Sequence, residues 1–192
     1  IEQPTLFLEI HTEEALADIY REQLEKIIIE YRGADFHWGN TPAEKARLWE
    51  IRYNVAHAIL AIRPGGATMS TDVCVPISRL AECILECKAE LEKIDHVTPL
   101  FGHVGDGNFH ISPNILVTNK EEIQLFQLIN EQLISRILKM EGTCTGEHGI
   151  GVGKKKYLEQ ELGQPAIDMM RAIKKALDPH NILNPRKIFD LY

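Results

Sequence analysis

Apolar residues along the chain follow two different spacings, which predicts short strands mixed with amphipathic helices. Alternating β-type residues predict strands over 5–10 and 34–38. Between them, apolar residues at helical spacing predict a helix over 16–31, and Gly33 is typical of a residue that ends such a helix. The beginning of the chain is therefore predicted to run strand, helix, strand.

Capping motifs and turn residues divide the middle of the chain. Thr41-Pro-Ala-Glu44 has the form of a capping box with proline in the first helical position, so it predicts a helix start. We expect that helix to run to the break at Pro64-Gly-Gly66 and a strand over 67–75 to follow. Ser78 is predicted to cap the next helix, whose apolar residues continue to Ile94.

The last part of the chain predicts a hairpin of strands 97–104 and 109–113, then a helix capped by Thr118-Asn-Lys-Glu121. Helical stretches from Lys154 and Pro165 follow. This order favours an α+β fold: a ferredoxin-like antiparallel sheet covered by helices, with an inserted helix and a C-terminal helical extension. No repeat or linker divides the sequence, so we expect one domain.

The segment Gly102-His-Val-Gly-Asp-Gly-Asn-Phe-His110 is the clearest candidate for a site. An Asp-Gly pair between runs that contain apolar residues is a strong signal for a two-residue hairpin turn. With Asp106 and Gly107 in the turn, His103 is predicted to face His110 across the hairpin. Opposed residues have Cβ atoms about 4.5–5.5 Å apart, close enough for two imidazoles to bind one metal ion. The alternative is that both histidines are simply exposed loop residues.

A second dense segment, 142–153, favours the metal interpretation. It places Glu147 and His148 among five glycines after a long helix. Two imidazoles plus one carboxylate form an open metal site that leaves positions free for substrate, and one histidine remains spare. Arg52, beside the apolar stripe of its helix, can bind a substrate carboxylate, or it can pack its stem on that stripe and pair with Glu50 or solvent.

Composition bounds the class of protein. The 192 residues are 44% hydrophobic and 26% charged, which is typical of a globular protein with one substantial core. A net charge of −7 argues against nucleic acid and against an anionic membrane surface as main partners. The basic cluster Lys154-Lys-Lys156 is interpreted as a solvated helix start.

Four cysteines form no CxxC pair, and Cys83 and Cys87 fall on the apolar face of a predicted helix, which suggests core thiols in a reducing compartment. No apolar run approaches the length of a membrane span. The chain opens without Met directly on a predicted strand, so we expect it to be part of a longer protein. The remaining histidines lack neighbouring candidates and are interpreted as structural or surface residues: His11, His37, His57, His96 and His180.

Four motifs together resemble the C-terminal domain of the FAD-linked oxidases. They are the string Ser70–Ser78, the His103–His110 segment, Gly142-Thr-Cys-Thr-Gly-Glu-His-Gly149 and the ending Asn184-Pro185. Within that family the chain looks most similar to the D-lactate dehydrogenase (cytochrome) branch, beside glycolate oxidase and D-2-hydroxyglutarate dehydrogenase. The resemblance covers essentially the whole chain, 1–192.

The resemblance implies a role for each matching residue. It implies that His103, His110 and Glu147 hold a divalent metal, Zn or Mn, and that His148 is the catalytic base. It also implies that Arg52 binds the substrate carboxylate, which reverses the balance between its two interpretations, and that Asn184 lies near the flavin.

The partners implied by the resemblance are a small 2-hydroxy acid, the protein's own N-terminal FAD domain, and an external electron acceptor, a cytochrome or a quinone. This chain contains no dinucleotide-binding fingerprint, so we expect it to be inactive alone. The hydroxyglutarate branch has a lysine where this chain has Ser70, which favours D-lactate or glycolate over a dicarboxylate. We expect a cytoplasmic location, peripheral at the inner membrane, or a mitochondrial one in a eukaryote.

Two other functions stay open from the residues alone. A His/His/Glu set with a spare histidine also suits a metal-dependent hydrolase that activates water. Ferredoxin-like folds also serve as non-catalytic regulatory modules.

Overall fold

The computed structural model describes residues 3–92, 94 and 97–191. The chain divides into two compact units, residues 1–57 and 58–192, and each is described by itself. The single domain predicted from the sequence stays a prediction.

The described residues form an α+β structure with seven α-helices and small antiparallel sheets. The helices are α1 (Glu14–Glu30), α2 (Pro42–Tyr53), α3 (Val55–Ile62), α4 (Ile77–Leu91), α5 (Lys120–Lys139), α6 (Lys155–Leu162) and α7 (Gln164–Leu177). The strands are β1 (Ala67–Thr68), β2 (Val73–Cys74), β3 (Leu100–Phe101), β4 (Asn108–Ile111) and β5 (Asn114–Ile115). None of the helices in the described part of the chain is long and apolar enough to cross a bilayer.

The first unit confirms the helix predicted over 16–31 and the helix start predicted at Thr41, but not the predicted strands. The Thr41 hydroxyl accepts from the Glu44 backbone N–H, and the Glu44 side chain accepts from the Thr41 backbone, so the capping box is present. The strand predictions for 5–10 and 34–38 are wrong, because the described residues there join no hydrogen-bonded ladder. Alternation of residue type specifies a strand only where a neighbouring strand supplies backbone partners.

Three helix boundaries differ from the sequence prediction. The helix expected from Thr41 to the Pro64 break is two helices, because Asn54 interrupts it between α2 and α3. Helix α4 starts after Pro76 without a side-chain cap, so the cap predicted at Ser78 is wrong. Helix α5 is capped by Asn119, whose side chain accepts from two backbone N–H groups, rather than by Thr118.

The second unit contains two small sheets. Strand β1 pairs with β5, and β4 lies between β2 and β3, all in antiparallel fashion. The predicted strand 67–75 is therefore two short strands that belong to different sheets. The residues between β1 and β2 carry Thr71 and Asp72, and both are buried.

The hairpin of β3 and β4 exists, but its predicted register is wrong. Phe101 rather than His103 pairs with His110. Residues 104–106 form a 3₁₀ turn, and Gly107 follows with a left-handed φ of 80°. A Cβ at Gly107 would lie 2.0 Å from the carbonyl oxygen of Val75, so the connection requires glycine for space as well as for φ. The longer connection moves His103 out of the ladder and into the loop.

Strand β4 is buried on both faces, and this divides its residues between core and site. Phe109 and Ile111 enter the hydrophobic core that α4, α5 and β2 share. Asn108 and His110 alternate with them and so lie on the opposite face of the strand. The core also contains Cys83, Cys87 and Cys144 as free thiols, which confirms the core interpretation of the first two.

Candidate functional site

His110 is a buried histidine whose two ring nitrogens have different partners. Its Nδ1 lies 2.8 Å from the carbonyl oxygen of Thr71, and its Nε2 lies 2.9 Å from Glu147 Oε1. A carbonyl oxygen can only accept, so Nδ1 carries a proton and donates it. Nε2 then faces a carboxylate oxygen, and this contact is favourable only with a proton or a cation between the two atoms. The hydrogen bond to Thr71 thus fixes the ring with Nδ1 protonated, which is the tautomer that a metal ligand binding through Nε2 requires.

Glu147 is the point where three histidines meet. Its Oε1 lies 3.5 Å from His148 Nε2, and its Oε2 lies 3.8 Å from His103 Nε2. The candidate ligand atoms of His110, Glu147 and His148 all lie within 4.8 Å of one another. Imidazole nitrogens and a carboxylate are the donor set that Zn and Mn accept, so these residues fit a divalent cation.

The cluster is buried on one side and open on the other. The His110 side chain is 5% exposed, whereas those of Glu147, His103 and His148 are 42%, 46% and 61% exposed. The ring centroids of His110 and His148 lie 5.3 Å apart, and those of Phe101 and His110 lie 5.4 Å apart. His110 is therefore enclosed by the protein, while the other three side chains remain reachable for a small molecule.

Asp72 is a buried carboxylate beneath the Glu147–His148 segment, 2% exposed. Its two oxygens accept from five donors: Asn108 Nδ2, the Glu147 N–H, the His148 N–H, Thr145 Oγ1 and Lys154 Nζ. Burial alone would raise the pKa of Asp72. The His148 N–H, the Lys154 ammonium and the Thr145 hydroxyl outweigh burial and hold this pKa well below its usual range.

Lys154 is a partner of Asp72 rather than a solvated residue. Its Nζ donates to the Asp72 carbonyl oxygen at 2.7 Å and to Oδ2 at 3.0 Å, with a side chain 21% exposed. The interpretation of this basic cluster as a solvated helix start is therefore wrong for Lys154. Its neighbours Lys155 and Lys156 form ion pairs with Asp190 and Glu131.

Gly146 lets the loop approach this carboxylate. A Cβ on Gly146 would lie 1.9 Å from Asn108 Nδ2 and 2.8 Å from Asp72 Oδ1. No side chain fits in that space without displacing the residues that hold the loop. Within the 142–149 segment, packing therefore requires glycine at position 146.

The two other residues assigned from the resemblance are Arg52 and Asn184, and each is described within its own unit. Arg52 is a half-buried residue in the last turn of α2, in the first unit. Asn184 is exposed in the turns after α7, with a left-handed φ of 47° and its carbonyl oxygen accepting from the Lys187 N–H. The structure thus gathers His103, His110, Glu147 and His148. The roles assigned to these four residues, to Arg52 and to Asn184 stay predictions. The interpretation of His96 as structural or surface falls outside the described residues.

Sequence reasoning missed Asp72 and Lys154 as parts of the site. An Asp within a β-type run and a Lys after a glycine-rich segment are the available signals. Each is common alone, and only the fold brings the two residues together across 82 positions.

The family model for FAD linked oxidases, C-terminal domain, matches residues 2–188. The chain belongs to this family. A probable mitochondrial D-lactate dehydrogenase of Danio rerio is 44% identical over 98% of the chain, and a mitochondrial D-lactate dehydrogenase [cytochrome] of Arabidopsis thaliana is 41% identical over 97%. A glycolate oxidase subunit of Bacillus subtilis is 34% identical over 88%.

The FAD linked oxidase C-terminal domain accounts for only part of each relative. The chain spans 38%, 33% and 35% of the length of these three proteins. The match nevertheless includes every residue of the histidine cluster together with Asp72 and Lys154, all of which lie within 2–188.

Proposed function

We propose that this chain is the substrate- and metal-binding part of an FAD-dependent D-2-hydroxy acid dehydrogenase that oxidises D-lactate to pyruvate, with glycolate as the second substrate candidate. The observation that carries the proposal is the cluster of three histidines around Glu147, in a chain whose relatives are named for this chemistry. The cluster has the donor atoms for a cation and an open side for a small acid.

His103, His110 and Glu147 would hold the divalent cation. When bound, it supplies positive charge that makes the hydroxyl of a 2-hydroxy acid easier to deprotonate. His110 suits a ligand because Thr71 fixes its ring, with Nδ1 as the donor. His148 is the most exposed of these histidines, and its neutral imidazole would accept the hydroxyl proton at Nε2.

The remaining parts of the reaction rest on the family resemblance. FAD supplies, when bound, the acceptor for the hydride that leaves the α-carbon, which balances the proton taken by His148. Arg52 would bind the substrate carboxylate through its planar guanidinium and so orient the α-carbon. Asn184 would lie near the flavin.

The region before β2 supports a monocarboxylate substrate. Ser70 is uncharged there, and its hydroxyl is engaged with Ser112 Oγ at 2.7 Å and with the Thr71 carbonyl oxygen. It offers no cation to a second carboxylate, so D-2-hydroxyglutarate would be a poor substrate. We also propose that the electron acceptor is a cytochrome or a quinone and that the location is mitochondrial if the source is eukaryotic. For the fold, we propose a ferredoxin-like arrangement of the sheet.

The test is anaerobic flavin reduction in the protein expressed from its complete coding sequence. D-lactate should bleach the flavin absorbance, glycolate should do so more slowly, and L-lactate and D-2-hydroxyglutarate should leave it nearly unchanged. Chelation of the metal should abolish bleaching. If none of these acids reduces the flavin, or if the protein proves to be a metal-dependent hydrolase, the proposal is overturned.

A further inference from the structure

Glu147 and His148 are adjacent in sequence, yet the ends of their side chains converge. Glu147 Oε1 and His148 Nε2 lie 3.5 Å apart. In an extended chain, successive side chains point to opposite sides, so this convergence needs a bent backbone. The backbone N–H groups of both residues donate to the same carboxylate, that of Asp72.

We infer that Asp72, paired with Lys154, is a positioning residue that holds the 145–148 segment in its cation-binding conformation before any metal binds. The inference rests on the proposed metal site, but it concerns a buried residue outside the proposed ligand set. Asp72 thereby sets the affinity for the metal through Glu147 and the orientation of the base through His148.

A carboxylate is the side chain that this position requires. All five groups around Asp72 are donors, and an ionised carboxylate is acceptor-only. An asparagine in its place would turn an NH₂ group toward donors and would leave the Lys154 ammonium without its counter-charge. Asp72→Asn therefore removes the hold on the loop while keeping side-chain volume.

Asp178 provides a matched control within the same chain. It is also nearly buried, it also pairs with a lysine, Lys174, and it also accepts from two backbone N–H groups, those of Ile182 and Leu183. It holds the turn after α7 instead of the histidine cluster. Asp178→Asn thus makes the same chemical change at a different loop.

The experiment measures amide hydrogen exchange without metal and Mn²⁺ binding by electron paramagnetic resonance, in the complete protein. Asp72→Asn should raise the exchange rate of the peptide containing 145–148 at least tenfold and weaken Mn²⁺ binding about 10–100-fold, the usual loss for an outer partner of a metal ligand. Asp178→Asn should raise exchange around 182–183 and leave the Mn²⁺ dissociation constant within about threefold, because it contacts no ligand.

Unchanged exchange at 145–148, or a Mn²⁺ dissociation constant equal to that of the native protein, overturns the role of Asp72. If Asp72→Asn does not fold, Lys154→Met replaces it: the amide contacts stay, the buried carboxylate loses its cation, and the same two changes are expected in weaker form. If the native protein binds no Mn²⁺, the metal site fails together with this inference. Flavin reduction by D-lactate is a separate readout, so failure of the proposed substrate is distinguishable from both.

Discussion

Glu147 Oε1 lies 2.9 Å from Nε2 of His110, whose other nitrogen donates to the Thr71 carbonyl oxygen. This contact joins the most buried histidine of the cluster to the residue on which the other two converge. Because Nδ1 is the donor to Thr71, Nε2 is the nitrogen that shares a proton or a cation with the Glu147 carboxylate. The Thr71 carbonyl oxygen therefore orients the His110 ring and leaves Nε2 as the nitrogen that faces the proposed metal position.

His110→Ala should weaken Mn²⁺ binding by about 100-fold or more, since even the loss of an outer partner of a ligand costs about 10–100-fold. The variant removes the most buried of the proposed ligands, whose ring is oriented by the Thr71 carbonyl oxygen. Mn²⁺ titration followed by electron paramagnetic resonance measures the effect. His57→Ala, at an exposed position in α3, is the control and should bind Mn²⁺ as the native protein does. Equal affinity in both variants would exclude His110 as a ligand.

We expect substitutions to distinguish His103, the proposed metal ligand, from His148, the proposed base. His103→Ala is expected to lower Mn²⁺ affinity at least about tenfold. His148→Ala should keep the metal and the FAD but slow flavin reduction by D-lactate about 10²–10⁴-fold, the usual contribution of a general base. Paired measurements of Mn²⁺ affinity and reduction rate decide between them. If His148→Ala loses the metal while His103→Ala keeps it, the two roles are exchanged.

Gly146→Ala should destabilise the second unit by about 1–3 kcal/mol, the usual cost of overpacking, because the new methyl would overlap Asn108 and Asp72. It should also weaken Mn²⁺ binding, since the loop would have to move. Urea unfolding and Mn²⁺ titration measure the two effects. Gly153→Ala is the control: a Cβ there meets no atom within 4 Å, so its effect should stay within about 0.5 kcal/mol. Similar losses in both variants would contradict the packing argument.

The helices and the members of the cluster were predictable because their signals are local. The Thr41 capping box and the apolar faces of α4 and α5 depend on residues within a few turns of one another. The segment around Glu147 was also recognisable in the sequence, because five glycines lie within 142–153. The register of the hairpin did not, because it depends on how Gly107 approaches the Val75 carbonyl oxygen.

Asp72 shows why the rest of the site could not be predicted. Its value to the loop comes from donors 73 to 82 positions later in the chain. Neither residue type nor spacing encodes such a contact. The first-unit strands failed for a related reason, since a strand is defined by its neighbour and not by its own alternation.

Arg63 and Glu122 should give the second unit an acid-sensitive contribution to stability. Glu122 accepts from both Arg63 Nη atoms, at 2.7 and 3.0 Å, and from the Leu116 N–H. The Arg63 hydrogen bond, followed by that of Leu116, lowers the pKa of Glu122 to about 2 from its ordinary value of 4.5. Between these two values the unfolded chain binds more protons than the native one, so stability should rise with pH.

This contribution should be complete above about pH 4.5 and be lost as the pH falls toward about 2. Glu122→Gln should therefore lower the unfolding free energy near neutrality and flatten its rise across that window. Urea unfolding at a series of pH values measures the slope. Glu159→Gln, at an exposed position in α6, removes the same charge and should leave the slope nearly as it is. A slope that Glu122→Gln does not change would place the acid sensitivity in other carboxylates, Asp72 and Asp178 first among them, because their hydrogen-bond donors and lysine partners outweigh burial and lower their pKa values in the same direction.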